Sequence, residues 1–506
     1  MDGLLINLKF YTLKSKTIQL FYGTDKFLLW NLSVFKSIGR QIEMEKPSRE
    51  AFEGNNKLLI GIVLSVITFW LFAQSLVNVV PILEDSFNTD IGTVNIAVSI
   101  TALFSGMFVV GAGGLADKYG RIKLTNIGII LNILGSLLII ISNIPLLLII
   151  GRLIQGLSAA CIMPATLSII KSYYSGKDRQ RALSYWSIGS WGGSGVCSFF
   201  GGAVATLLGW RWIFILSIII SLIALFLIKG TPETKSKSIS LNKFDIKGLV
   251  LLVIMLLSLN ILITKGSELG VTSLLFITLL AIAIGTFSLF IVLEKRATNP
   301  LIDFKLFKNK AYTGATASNF LLNGVAGTLI VANTFVQRGL GYSSLQAGSL
   351  SITYLVMVLI MIRVGEKLLQ TLGCKKPMLI GTGVLIVGEC LISLTFLPEI
   401  LYVICCIIGY LFFGLGLGIY ATPSTDTAIA NAPLEKVGVA AGIYKMASAL
   451  GGAFGVALSG AVYAIVSNMT NIYTGAMIAL WLNAGMAILS FVIILLLVPK
   501  QNDTQL

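Results

Sequence analysis

The sequence predicts an all-α membrane protein of fourteen spanning helices, arranged as two six-helix repeats plus two inserted helices. Three observations carry this. First, 56% of the 506 residues are hydrophobic and only 12% are charged, with a mean hydropathy of +0.90. A soluble globular chain does not have that balance. Second, the apolar residues fall into long runs, each near the roughly 20 residues that cross a hydrocarbon core about 30 Å thick. Period-two alternation is lacking, so the spans read as helices and not as barrel strands. Third, the chain echoes itself. Pro164-Ala-Thr-Leu-Ser-Ile-Ile returns as Pro423-Ser-Thr-Asp-Thr-Ala-Ile, and Gly192-Gly193 and Tyr185 return at the same offset as Gly451-Gly452 and Tyr444.

Residues 1–56 form an N-terminal segment on the cytoplasmic side. Its first 43 residues scatter Lys9, Lys14, Lys16, Lys26, Lys36 and Arg40 through apolar surroundings, leaving neither a signal peptide nor a span. The lead-in Met-Glu-Lys-Pro-Ser-Arg-Glu from Met44 reads as a natural start, so residues 1–43 are expected to be an annotation extension.

Residues 57–229 hold the first bundle, with spans 1 to 6 at 57–80, 92–113, 123–142, 145–170, 182–206 and 211–229. A linker over 230–310 contains spans 7 and 8 at 246–264 and 272–293, which have no echo and read as an insertion. The second bundle, 311–498, holds spans 9 to 14 at 311–333, 346–364, 377–396, 400–422, 438–466 and 474–498, followed by a tail over 499–506. Lys and Arg crowd the loops at one face, from Lys118, Arg121 and Lys123 through Lys308 and Lys310 to Lys436. The opposite face has Arg211, Lys265 and Arg338. The bias puts both termini in the cytoplasm.

Composition also removes function classes. Most of the net charge of +15 lies in loops between spans, so it speaks for a membrane topology and not for nucleic acid. The chain has no histidine, which rules out His-based metal sites and proton relays. Six cysteines, mostly within apolar runs and without a CxxC pair, read as small packing residues. No phosphate-cradling G-x-x-x-x-G-K-[ST] occurs. No cofactor is expected, and the chain is not read as an enzyme.

The loop after span 2 reads Gly113-Gly-Leu-Ala-Asp117-Lys118-Tyr-Gly120-Arg121. Glycine lets the backbone turn and approach a neighbouring helix. Asp117 can pair with Arg121 or Lys118, or sit at a helix N-terminus. The plainer reading is a tight, positively charged turn. The pattern, however, resembles the signature loop between helices 2 and 3 of the major facilitator superfamily. That resemblance implies the major facilitator fold and a latch between the two halves, made by Gly113, Asp117, Gly120 and Arg121. Parallel six-helix repeats around a shared substrate site fit that fold.

Span 4 carries Arg152-Leu-Ile-Gln155-Gly156, which resembles the Arg-x-x-Gln-Gly motif of drug:proton antiporters. A charge this deep costs roughly 2.5–3.5 kcal/mol on insertion scales and should face the bundle interior; the alternative is an arginine that snorkels to the outer interface. Its partners are open among Gln155, Asn78, backbone carbonyls, the outer acids Glu84 and Asp85, and an acidic group on the substrate. Span 5 is rich in glycine and resembles the antiporter motif ending Gly-Pro-x-x-Gly-Gly, but Cys197-Ser198 replaces Gly-Pro. Small residues of this kind also serve simple close packing.

Related fourteen-helix exporters usually have an aspartate in span 1, and this chain has none there. The coupling carboxylate is then expected among Asp426, Glu389, Glu84 and Asp85, with Asp426 preferred and a solvated helix-end acid as the plainer alternative. Arg152 joins Asp426 and Glu389 as a charge-relay candidate. Trp70, Gln74, Asn78, Gln155, Trp186, Tyr444 and Lys445 are the expected substrate contacts, with Lys445 placed to neutralise Asp426 or to bind an acidic substrate.

The resemblance implies a proton-driven exporter of quinolones and other amphipathic antimicrobials in a bacterial plasma membrane, and a monomer is expected. Its partners would be drugs, protons and lipid. The rival expectation is a facilitator for an endogenous metabolite or organic anion, with Arg152 and Lys445 as anion ligands.

Overall fold

A computed structural model describes residues 52–89, 91–236, 245–269, 273–297, 300–302 and 304–500. The expectations for residues 1–43 and for most of the tail lie outside these residues. All regular structure among the described residues is helical.

The first repeat runs through Asn56–Ile67 with its continuation to Asn78, then Ile91–Tyr119, Arg121–Ile140, Pro145–Tyr173, Gly176–Leu207 and Arg211–Ile228. The inserted pair is Ile246–Leu269 and Leu274–Arg296. The second repeat runs through Lys310–Gly324 with Gly327–Leu340, Ser344–Leu350 with Ile352–Leu372, Lys375–Ile392, Glu399–Ala430, Val437–Met469 and Ile472–Leu497. Eleven helices among the described residues are long and apolar enough to cross a membrane. The segments expected as spans 5, 7 and 11 are helical as well: span 5 passes through a π-turn at Ile188–Gly192, span 7 runs through Ile246–Leu269, and span 11 carries Lys375, Lys376 and Glu389 within its 18 residues.

Packing follows small residues, because lipid supplies little hydrophobic drive between helices. Span 5 lies on span 1: a Cβ on Gly193 would sit 2.8 Å from Trp70 Cβ, and one on Gly201 would sit 2.4 Å from the Ser75 carbonyl oxygen. Span 13 lies on span 9 in the same way, with Gly455 against the backbone of Gly324. Both members of the first pair leave α-geometry where they cross. Span 1 passes through a π-turn at Thr68–Phe72 and a 3-10 helix at Ala73–Asn78; span 5 has a π-turn at Ile188–Gly192. The irregular turn of span 5 precedes Cys197-Ser198. Exposed leucines, isoleucines and phenylalanines form the outward faces of the rods, as on Ile127, Ile130, Leu134 and Leu137 of span 3. Span 8 is buried over only 11% of its apolar window and is the most lipid-facing of the eleven.

Candidate functional site

Two features converge between the repeats: a central cavity, and a closure at the end of the bundle that carries the basic loops. The cavity has a volume of about 380 Å³. Span 1 contributes Phe69, Trp70 and Gln74, span 2 the stretch around Gly106 and Met107, and span 4 Met163. Asn323 of span 9 and Lys445, Ser448 and Ala449 of span 13 face them, and Leu256 of the inserted span 7 completes the wall. The surface is largely apolar, with a few polar groups, as small-molecule sites are. Trp70 packs edge-on against Phe69, with ring centroids 5.0 Å apart.

Spans 2 and 13 meet at the basic end and separate toward the cavity. A Cβ on Gly113 would lie 2.1 Å from the Gly438 carbonyl oxygen, and one on Gly438 would lie 2.2 Å from that of Gly113. Two backbones touch here, and only glycine permits it. One turn further in, Gly442 faces Val109 at 2.7 Å; by Gly106 and Ala449, at the cavity wall, the same measure has opened to 3.8 Å.

Polar contacts lock this crossing. Asp117 is fully buried. Its Oδ2 accepts from the N–H groups of Gly438 at 2.8 Å and Val439 at 3.1 Å, the unsatisfied first turn of span 13. Its Oδ1 accepts from Arg121 Nη2 at 2.9 Å and Nε at 3.2 Å. Two of the three partners foreseen for Asp117, Arg121 and a helix N-terminus, are thus used at once. Arg121 also donates to the Leu434 carbonyl at 2.7 Å and to Ser172 Oγ at 2.5 Å.

Lys171 performs the converse task. Its ammonium donates to the carbonyls of Ile429 at 2.6 Å, Ala430 at 2.9 Å and Ala432, at the C-terminus of span 12. An acid on one helix start and a base on another helix end both match the helix dipoles. Arg179 Nε meets Asp426 Oδ1 at 2.9 Å, a third contact between the repeats.

Sequence spacing gave no sign of Glu233, which fixes the loop from behind. Its carboxylate accepts from the N–H groups of Ile122 at 2.9 Å and Lys123 at 2.8 Å, capping span 3. Gly120, at φ +125°, turns the chain into that cap, and a Cβ there would strike the Glu233 carboxyl.

Arg152 does not snorkel. It is fully buried and donates to the carbonyls of Ala73 at 2.6 Å, Ala97 at 3.0 Å and Val98 at 3.3 Å, and to Gln155 Oε1 at 2.8 Å. Gln155 in turn donates to Ser136 Oγ at 3.0 Å. The guanidinium braces spans 1 and 2 on span 4, with no carboxylate among these contacts.

Of the expected substrate contacts, Trp70, Gln74 and Lys445 line the cavity. Gln155 is occupied by Arg152. Trp186 is buried behind the wall, its indole N–H donating to Thr166 Oγ1 at 3.0 Å, and the Tyr444 hydroxyl meets Ser424 at 3.0 Å and Thr425 at 3.3 Å. The side chain of Asn78 lies outside the described residues. Asp426 pairs with Arg179, not with Lys445, whose ammonium lies 4.2 Å from the centroid of the Trp186 ring. Glu389 is buried within the second repeat, accepting from Thr328 Oγ1 at 2.8 Å in a cluster with Asn483 and Ser459, away from the cavity lining. No group of metal-ligating side chains occurs among the described residues.

The Major Facilitator Superfamily model matches residues 58–456 and 314–505. The chain belongs to the major facilitator superfamily. It is a multi-pass membrane transporter, not an enzyme. The chain is 99% identical, over 463 residues, to the quinolone resistance protein NorB of Staphylococcus aureus strains JH9 and Newman, covering 92% of this chain and all of those relatives. Among solved major facilitator structures it resembles the proton:xylose symporter XylE, with a TM-score of 0.61 at 15% identity over 88% of this chain and 96% of that one. It also resembles a bacterial homologue of the iron transporter ferroportin in an outward-facing state, with a TM-score of 0.61 at 11% identity over 87% and 98%. These two likenesses show the fold alone.

Proposed function

We propose that this chain is a multidrug efflux transporter of the bacterial plasma membrane, exporting quinolones and other amphipathic antimicrobials by alternating access in exchange for protons. The observation that carries the reading is its near-identity to the quinolone resistance protein NorB along that relative's whole length. A cavity rich in apolar and aromatic surface suits flat amphipathic drugs, and a joint made of two touching glycines suits a bundle that opens and closes.

In this reading both termini are cytoplasmic, the basic end faces the cytoplasm, and the monomer works alone. The latch of Asp117, Arg121 and Lys171 holds the cytoplasmic side shut while the cavity serves the outside. Asp426 is the proposed coupling carboxylate. A proton on it removes the charge that holds Arg179, loosens the closure and admits drug from the cytoplasm; loss of that proton inside restores the pair on reclosing.

The test is transport in proteoliposomes. Norfloxacin and a fluorescent cation should move against an imposed proton gradient and stop when the gradient is collapsed. Transport indifferent to the gradient would remove the antiport. A second reading, export of an endogenous organic anion, is favoured by Lys445 as the charged residue of the cavity lining.

A further inference from the structure

We propose that Lys445 is the recognition group for the carboxylate of those aromatic amphipaths that carry one, so that the central cavity binds such acids more tightly than their uncharged analogues. The proposal rests on the exporter reading above and names the substrate chemistry of that same site.

The argument starts from charge. Among the described residues that line the cavity, Lys445 alone carries a formal charge, and none of them is an acid. Its ammonium has no ion pair or hydrogen-bond acceptor among the described residues; its close neighbours are the faces of Trp186, at 4.2 Å, and Tyr444, at 5.8 Å. Aromatic faces recover only part of what an ammonium loses on leaving water. The acid that sequence reasoning offered it, Asp426, is held by Arg179 at 2.9 Å. Its counterpart in the first repeat is Trp186, so the charge is a feature of the second repeat alone.

A second donor without an acceptor lines the same cavity. The indole N–H of Trp70 is buried and unpaired among the described residues. A buried donor left unsatisfied costs free energy until something accepts from it. Two waiting donors, one of them cationic, with aromatic and apolar surface between the repeats, describe a pocket for a flat ring system carrying an anion. A carboxylate on the ring would neutralise Lys445, and the ring would occupy the surface of Phe69, Met107 and Leu256. Quinolones are acids of this kind, so drug export and organic-anion export become one recognition event.

The experiment compares a quinolone acid with its ester. Binding of norfloxacin and of its methyl ester to the purified full-length protein in nanodiscs would be measured by ligand fluorescence for the wild type, Lys445→Met and Lys445→Arg. The wild type should bind the acid at least about tenfold more tightly than the ester, the size of effect a desolvated charge pair gives. Lys445→Met should lose that preference while still binding the ester, which reports an intact cavity. Lys445→Arg should keep it. Equal wild-type affinities for acid and ester, or an undiminished acid preference in Lys445→Met, would overturn the proposal. Absence of gradient-driven export of either compound, with the acid preference intact, would instead count against the exporter reading alone.

Discussion

The Asp117 carboxylate stands 2.8 Å from the N–H of Gly438, a residue 321 positions further along the chain. One side chain therefore ends span 2 and caps span 13, and the two repeats are joined through a helix terminus. A pair of flexible surface charges would hold them less well, because backbone N–H groups are already fixed in place.

Replacing that acceptor should weaken the closed state specifically. Asp117→Ala removes the bonds to Gly438, Val439 and Arg121 together; Asp117→Asn keeps one acceptor oxygen but loses the charge. Charge-assisted bonds of this kind are each worth about 1.5–3 kcal/mol. The expected result is a transport loss of roughly tenfold or more for Asp117→Ala and a smaller one for Asp117→Asn. A cysteine placed at Ser105 should become more reactive from the basic end in both.

Gly113→Ala is predicted to be as harmful as a much larger substitution. Its Cβ would lie 2.1 Å from the Gly438 oxygen, a backbone atom that cannot swing aside. Transport should fall below detection while size-exclusion profiles in detergent stay wild-type, because the clash exists only when the two repeats meet. Gly202→Ala, where a Cβ meets nothing within 4 Å, is the matched control and should remain active.

The Arg179–Asp426 pair should behave as a unit. Asp426→Asn is expected to abolish gradient-coupled export while leaving drug binding in place. The exchange of charges, Arg179→Asp with Asp426→Arg, should recover part of the activity lost by either change alone. A coupling of about 0.5–3 kcal/mol in the double-mutant cycle is the expected range for a contacting pair. Strict additivity would mean that the two side chains do not act on each other during transport.

Arg152→Lys tests whether the buried arginine braces the fold. A lysine cannot direct a rigid fork at Ala73, Ala97 and Val98 simultaneously, and the carbonyls it leaves have no water to turn to. The variant should lose about 3 kcal/mol, seen as a lower thermal midpoint in detergent. Saturating drug should not restore it.

The repeats, the signature loop and the glycine contacts were legible because they are periodic or local: equal offsets tie Pro164 to Pro423, and the Gly113–Arg121 run is contiguous. What lined the cavity was less so. A helix that is apolar all round gives no face to read, so Gln155, Trp186 and Tyr444 looked as available as Trp70 and Gln74, yet they turn toward neighbouring helices. Leu256 could not be foreseen, because the inserted pair has no echo to align it. Glu233 and Lys171 act on backbone groups more than a hundred residues away, and nothing in their local sequence marks the partner.

The central claim is that the two repeats part and rejoin at the basic end as the transporter works. Double electron–electron resonance between spin labels at Lys118 and Glu435, in nanodiscs, measures this directly. The account predicts a short distance matching the latched arrangement, joined by a second, longer one whose population grows when Asp117 is changed to Ala. A single distance, unmoved by that substitution, by pH or by norfloxacin, would contradict it.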